Sequence, residues 1–235
     1  MPFSQRAGRR IIDRITTFEP MTLILVAVAA GGLFLFLQLT GEVMEGDTHA
    51  FDERLLLLLR TTSEPGTPVG PYWLAHAVGD ITALGGLTVL SLMTIIITGY
   101  LLLAKRPAIA IFTFLSVLGG WALSSLLKIG IARPRPDIVP HLVEVHDLSF
   151  PSGHAMLSAA TYLTLGALLS SALPSRITRL YTIAVAVFLT FIIGLSRVYL
   201  GVHYPTDVLG GWCAGATWAL ICWLIARRYI ARTPG

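Results

Sequence analysis

The sequence predicts an all-α, polytopic membrane protein with six transmembrane helices and an interfacial helix between the first two. Three observations predict it. Of 235 residues, 54% are hydrophobic and only 13% charged, whereas soluble domains run nearer to a quarter charged. Six apolar segments each approach the ~20 residues that a spanning helix requires. The polar residues that remain gather between those segments rather than spreading over a surface.

The first segment covers residues 21–39 and follows Arg6, Arg9, Arg10 and Arg14. It is longer than a signal-peptide core and lacks a convincing cleavage site before Gln38, so it is read as an uncleaved helix after a short basic N-terminus, residues 1–20. Residues 41–79 form a long connection. Within it, Phe51-Asp-Glu-Arg and five leucines up to Leu59 are too short to span and suit a helix lying at the interface. Pro65, Gly66, Pro68, Gly70 and Pro71 then interrupt helix. The second to sixth segments fall at 81–103, 108–127, 155–173, 180–195 and 208–225. The whole chain, 1–235, is read as one domain whose motif-bearing core is 108–230.

Orientation follows from Lys and Arg. With the N-terminus inside, eleven of the seventeen cations fall on the inner side and six on the outer. Both termini are therefore expected in the cytoplasm. The net charge of +4 carries no basic stripe or reader motif, so nucleic acid is not an expected partner. Cys213 and Cys222 lie in the last apolar run and read as packing residues; no metal site is indicated.

Three polar clusters then fall on the outer side. Lys128 ends the third segment and is followed by Arg133-Pro-Arg135-Pro136. Pro134 and Pro136 hold this stretch extended, and guanidinium forks match phosphate oxygens in pairs. Taken alone, such cations equally suit lipid headgroups. Phe150-Pro-Ser152-Gly153-His154 opens the fourth helix. Ser152 is expected to cap it, Gly153 lets a ligand approach the helix N-terminus, and His154 is placed to donate a proton. Ser196-Arg197 precedes His203, Pro205 and Asp207, with Pro205 starting the sixth helix. An aspartate one turn from a histidine fixes its tautomer and leaves the other ring nitrogen free. The plainer reading is that Asp207 only complements the helix end. Together the clusters form a phosphoryl site; a protein that bound lipid without hydrolysis would not need both histidines and the aspartate.

These residues resemble the type 2 phosphatidic acid phosphatase superfamily, or lipid phosphate phosphatases, in its bacterial membrane-integral branch. The pattern is Lys, six residues, Arg-Pro; Pro-Ser-Gly-His; then Ser-Arg, five residues, His, three residues, Asp. It is met at Lys128 with Arg135-Pro136, at residues 151–154, and at Ser196-Arg197, His203 and Asp207. The resemblance implies a metal-independent, cofactor-free phosphatase with His203 as nucleophile, Asp207 orienting it and His154 as acid and then base. It implies a phosphate cradle of Lys128, Arg135, Ser152, Gly153 and Arg197. Implied substrates are undecaprenyl diphosphate, phosphatidylglycerol phosphate or phosphatidate, with lipid A as a narrower option. A vanadium haloperoxidase shares a similar site, but six spans argue against one.

Arg133 is not a motif position and is left between phosphate binding and headgroup contact. His76 and Asp80 share a helix face. His141, His146 and Asp147 read as a solvated outer loop, with contact to a substrate headgroup as the alternative. Gly211 and Gly215 predict close helix packing, within the bundle or in a homodimer.

Overall fold

A computed structural model describes residues 20–61, 66–145 and 147–230. The basic N-terminus, Arg232, Pro65 and His146 lie outside the described residues. Eight helices follow in order: α1 (Pro20–Glu45), α2 (His49–Leu58), α3 (Tyr72–Ala83), α4 (Leu87–Leu103), α5 (Pro107–Ile131), α6 (Gly153–Ala172), α7 (Arg176–Tyr199) and α8 (Pro205–Ile230). Five of them are long and apolar enough to cross a membrane: α1, α5, α6, α7 and α8 up to Arg227. The pair α3 and α4, bent by 42° at a short break, makes a sixth when counted as one span.

That break differs from the uninterrupted helix expected at 81–103. Helix already starts at Tyr72, just beyond Pro71, which the sequence reading had placed in a connection. A fixed φ suits proline immediately ahead of a helix. Leu84, Gly85 and Gly86 then part α3 from α4. One carbonyl freed by the break, that of Leu84, accepts a 2.9 Å bond from the Tyr162 hydroxyl of α6, as a broken helix within a membrane requires.

α6 is the hub. Half of its apolar window is buried, against 11% for α1, and it packs on α4, α5, α7 and α8. Small residues make this possible: Ala155, Ser158, Ala159, Ala160 and Gly166 line its buried faces. The Gly211 and Gly215 pair is used here. A methyl group on Gly211 would come within 2.9 Å of the Ala155 side chain, and one on Gly215 within 2.7 Å of Ala159. The small-residue stripe therefore seats α8 on α6 within the chain. Large apolar side chains on the other faces stay exposed, among them Phe34, Ile95, Phe114 and Phe188, as lipid-facing positions do.

The chain reverses so that one end of the bundle collects the polar segments. α5 and α7 end there, and α6 and α8 begin there. At the opposite end Arg227 of α8 donates a 3.0 Å bond to Thr22 of α1, so the first and last spans start and finish together. α2 forms at 49–58, where a short helix was expected. Its inward residues are Asp52 and Leu56, both fully buried. Leu56 packs with Ala155, Val198, Tyr204 and Val208 beneath the polar segments.

Candidate active site

Local structure brings each motif to this end. α5 stops at Ala132, whose φ of 53° is left-handed and whose N–H bonds to the Lys128 carbonyl at 2.9 Å. The proline-rich stretch from Arg133 then runs back over the bundle as an extended segment. The α7–α8 turn closes through Gly201 at φ 75°. A side chain there would collide with the Arg60 guanidinium and the Pro140 carbonyl, so the turn demands glycine.

His203 sits in this turn, 1% exposed. Its Nδ1 lies 3.4 Å from Asp207 Oδ2 and 3.4 Å from Ser149 Oγ. Its Nε2 faces Arg135 Nη1 at 3.2 Å. This network assigns the proton to Nδ1 and leaves the Nε2 lone pair toward the cations. Burial first, and then the positive field of Arg135, Arg197 and Lys128, pushes the His203 pKa well below its ordinary value. The ring is therefore neutral at physiological pH. Asp207 is wholly buried. Its Oδ2 also accepts from Ser149 Oγ and from the Tyr204 N–H at 2.8 Å, and its Oδ1 accepts from Arg133 at 2.7 Å. Its carboxylate thus has more partners than the helix-end role alone would need.

The phosphate-cradle candidates surround this ring. Gly153 begins α6 beside Lys128; a methyl group on it would lie 3.7 Å from Nζ. Arg197 is buried, donates to Thr82 at 3.0 Å, and its Nε has no partner among the described residues. Ser152 occupies the N-cap position, but its side chain makes no capping bond, contrary to expectation. Its buried Oγ has no partner among the described residues either. His154 lies in the field of Arg197, His203 and Lys128. The helix break faces it: a methyl group on Gly85 would lie 3.5 Å from His154 Cβ, and one on Gly86 would lie 3.8 Å from Nε2.

Asp147 corrects the sequence reading. Rather than belonging to a merely solvated loop, its carboxylate pairs with both Lys128 and Arg135. Burial opposes its ionisation, yet the two cations hold its pKa down to about 2. Lys128 also donates to the Leu148 carbonyl at 2.8 Å, and Arg135 Nε to the Asp147 carbonyl at 2.7 Å. His141 bonds within its own loop to the Pro136 carbonyl at 2.7 Å. The His76 ring stacks edge-on with Tyr72, and no ion pair joins it to Asp80 among the described residues. Within those same residues, no group of three His, Cys, Asp or Glu is placed to hold a metal ion.

Residues 107–231 match the PAP2 superfamily. The chain belongs to this superfamily. The PAP2 match begins at the first residue of α5 and takes in all three motif clusters. The chain is 33% identical over 186 residues to phosphatidylglycerophosphatase B of Bacillus subtilis, covering 78% of this chain and 87% of that one. It is 38% identical over 99 residues to decaprenylphosphoryl-5-phosphoribose phosphatase of Mycobacterium tuberculosis, covering 41% of this chain and 49% of that protein. The crystal structure of a transmembrane PAP2-type phosphatidylglycerolphosphate phosphatase from Bacillus subtilis superposes with a TM-score of 0.75 at 28% identity, over 85% of this chain and 96% of that one.

Four partners escaped the sequence reading: Asp52, Thr82, Ser149 and Asp147 as a cation partner. Ser149 stands one residue before Phe150 and carried no signal of its own. Asp52 did carry one, since an aspartate on the leucine-rich side of a short helix needs a partner when buried.

Proposed function

We propose that this PAP2 protein is a membrane phosphatase that hydrolyses a lipid phosphate or diphosphate through a phosphohistidine. The observation that carries the reading is the His203 ring, neutral and oriented by Asp207 on one side, with Arg135 3.2 Å from its free nitrogen. Nε2 attacks the terminal phosphorus as its P–O bond to the lipid alcohol, or to the lipid phosphate of a diphosphate, breaks. His154 protonates the departing oxygen. Water then attacks the phosphohistidine with His154 taking its proton, and inorganic phosphate leaves. Lys128, Arg135, Arg197, the Ser152 hydroxyl and the Gly153 N–H hold the charge that builds on the phosphoryl oxygens. The covalent step divides one difficult displacement into two.

An apolar cavity of about 310 Å³ supports a lipid leaving group. Leu87 and Leu157 line it next to the His154 end, and Thr94, Phe114 and Trp121 line it further along. Several of its walls are exposed between α4 and α5, so a tail reaches it from the side. The names of the relatives span glycerophospholipid and polyprenyl substrates. The proposed substrates are undecaprenyl diphosphate, phosphatidylglycerol phosphate or phosphatidate, with lipid A phosphate as the alternative. The active site faces the periplasm or cell exterior, both termini face the cytoplasm, and residues 1–235 act as one domain in the plasma membrane.

The test is phosphate release by purified protein over a panel of lipid mono- and diphosphates. His203→Ala is expected to abolish release on every substrate while the protein remains folded. Retained turnover in that variant overturns the mechanism.

A further inference from the structure

Asp52 lies on α2, well ahead of the segment that matches the superfamily. It is an aspartate with no exposure at all, and every bond its side chain makes leads toward the candidate site. Its Oδ1 accepts from the Thr206 N–H at 3.0 Å, within the first turn of α8. Its Oδ2 accepts from Thr206 Oγ1 at 2.6 Å and from Arg133 Nη2 at 2.8 Å. Arg133 in turn spends its other terminal nitrogen on Asp207 Oδ1 at 2.7 Å and on Thr206 Oγ1 at 2.8 Å. Its guanidinium lies 4.4 Å over the Tyr204 ring. Burial works against its charge, but Asp207 and Asp52 together raise its pKa.

We propose that Asp52 and Arg133 are positioning residues that hold Asp207 at a single angle, so that Oδ2 alone addresses His203. This rests on the phosphatase reading of the site. The geometry gives the reason. A guanidinium prefers to grip one carboxylate with two parallel bonds. With Asp52 taking Nη2, only Nη1 reaches Asp207, and it binds Oδ1 alone. Remove the Asp52 charge and the fork is free to turn and seize both Asp207 oxygens, drawing Oδ2 away from the His203 Nδ1–H. Arg133 therefore binds neither phosphate nor headgroup here. Its partners are two buried carboxylates and the hydroxyls of Thr48 and Thr206.

The experiment uses the full chain in detergent micelles with a short-chain phosphatidate. Asp207→Asn is measured first; if it turns over normally, the site reading fails before this one is reached. With Asp207 essential, Asp52→Asn is expected to lower kcat by about tenfold to a hundredfold, as loss of a partner behind a reacting group does, with KM little changed. Added to Asp207→Asn, it is expected to cause no further loss, because it acts through that residue. Wild-type kcat per folded molecule, or a full additional loss in the double variant, overturns the proposal. Should Asp52→Asn not fold, Thr206→Val removes one of its bonds. A smaller fall in kcat at unchanged KM is expected there, and an unchanged kcat overturns the proposal equally.

Discussion

At the scale of single residues, charge decides what the pocket does. Asp147 pairs with Lys128 and Arg135, so on the proposed mechanism an entering phosphoryl group competes with its carboxylate for both cations. Its side chain is 61% exposed, which limits the hold to that of a solvent-screened ion pair. Asp147→Ala is expected to tighten inhibition by vanadate about two- to fivefold, within the 0.2–1 kcal/mol of such pairs. Unchanged inhibition would mean that the carboxylate stands clear of the anion. His203 makes a separate prediction. Its folded pKa lies well below 6.5. Above 6.5 both folded and unfolded chains carry a neutral ring, and it adds no slope. Below 6.5 the unfolded chain takes up a proton that the folded site refuses, so stability falls with pH. The unfolding midpoint in denaturant is expected to drop between pH 6.5 and 5 more steeply in the wild type than in His203→Gln. Asp147 adds nothing to that window, since its stabilising charge is lost only as pH approaches about 2. The motif residues were legible because phosphate chemistry demands cations, imidazoles and a carboxylate at fixed spacings. Asp147 and Ser149 were not, because their partners depend on how a proline-rich segment folds back, which spacing does not encode.

At the scale of elements, apolar runs revealed helices but not their interruptions. The 81–103 run reads as continuous because Gly85 and Gly86 cost a helix only about 1 kcal/mol each. The break lies where His154 and Ile193 pack so close to Gly85 that a side chain there would collide. α2 was visible as a short helix, yet its burial was not: Asp52 turns inward because Arg133 waits there. The α6–α8 contact makes the sharpest demand. A side chain at Gly211 would come within 2.7 Å of the Ser152 carbonyl, while the Ser152 N–H bonds to the Asp207 carbonyl at 2.9 Å. Gly211→Val is therefore expected to cost about 1–3 kcal/mol by overpacking and to lower kcat as well. Thermal unfolding in detergent and phosphate release measure the two effects; a lowered Tm with wild-type turnover would separate packing from the site.

Across the whole molecule, the number of spans and the gathering of three motifs at one end followed from apolar length and strict alternation. The sidedness of that end rests on the Lys and Arg distribution. Membrane-impermeant labelling of a single cysteine introduced at Val145, in a background lacking Cys213 and Cys222, is expected to succeed from outside intact cells; labelling only after lysis would invert the topology. The bend between α3 and α4 has a consequence for turnover. It places His154 between the apolar cavity lined by Leu87 and Leu157 and the cations paired with Asp147. On the proposed mechanism the lipid product, an alcohol or a lipid monophosphate, and the inorganic phosphate depart into different phases, which opposes their recombination.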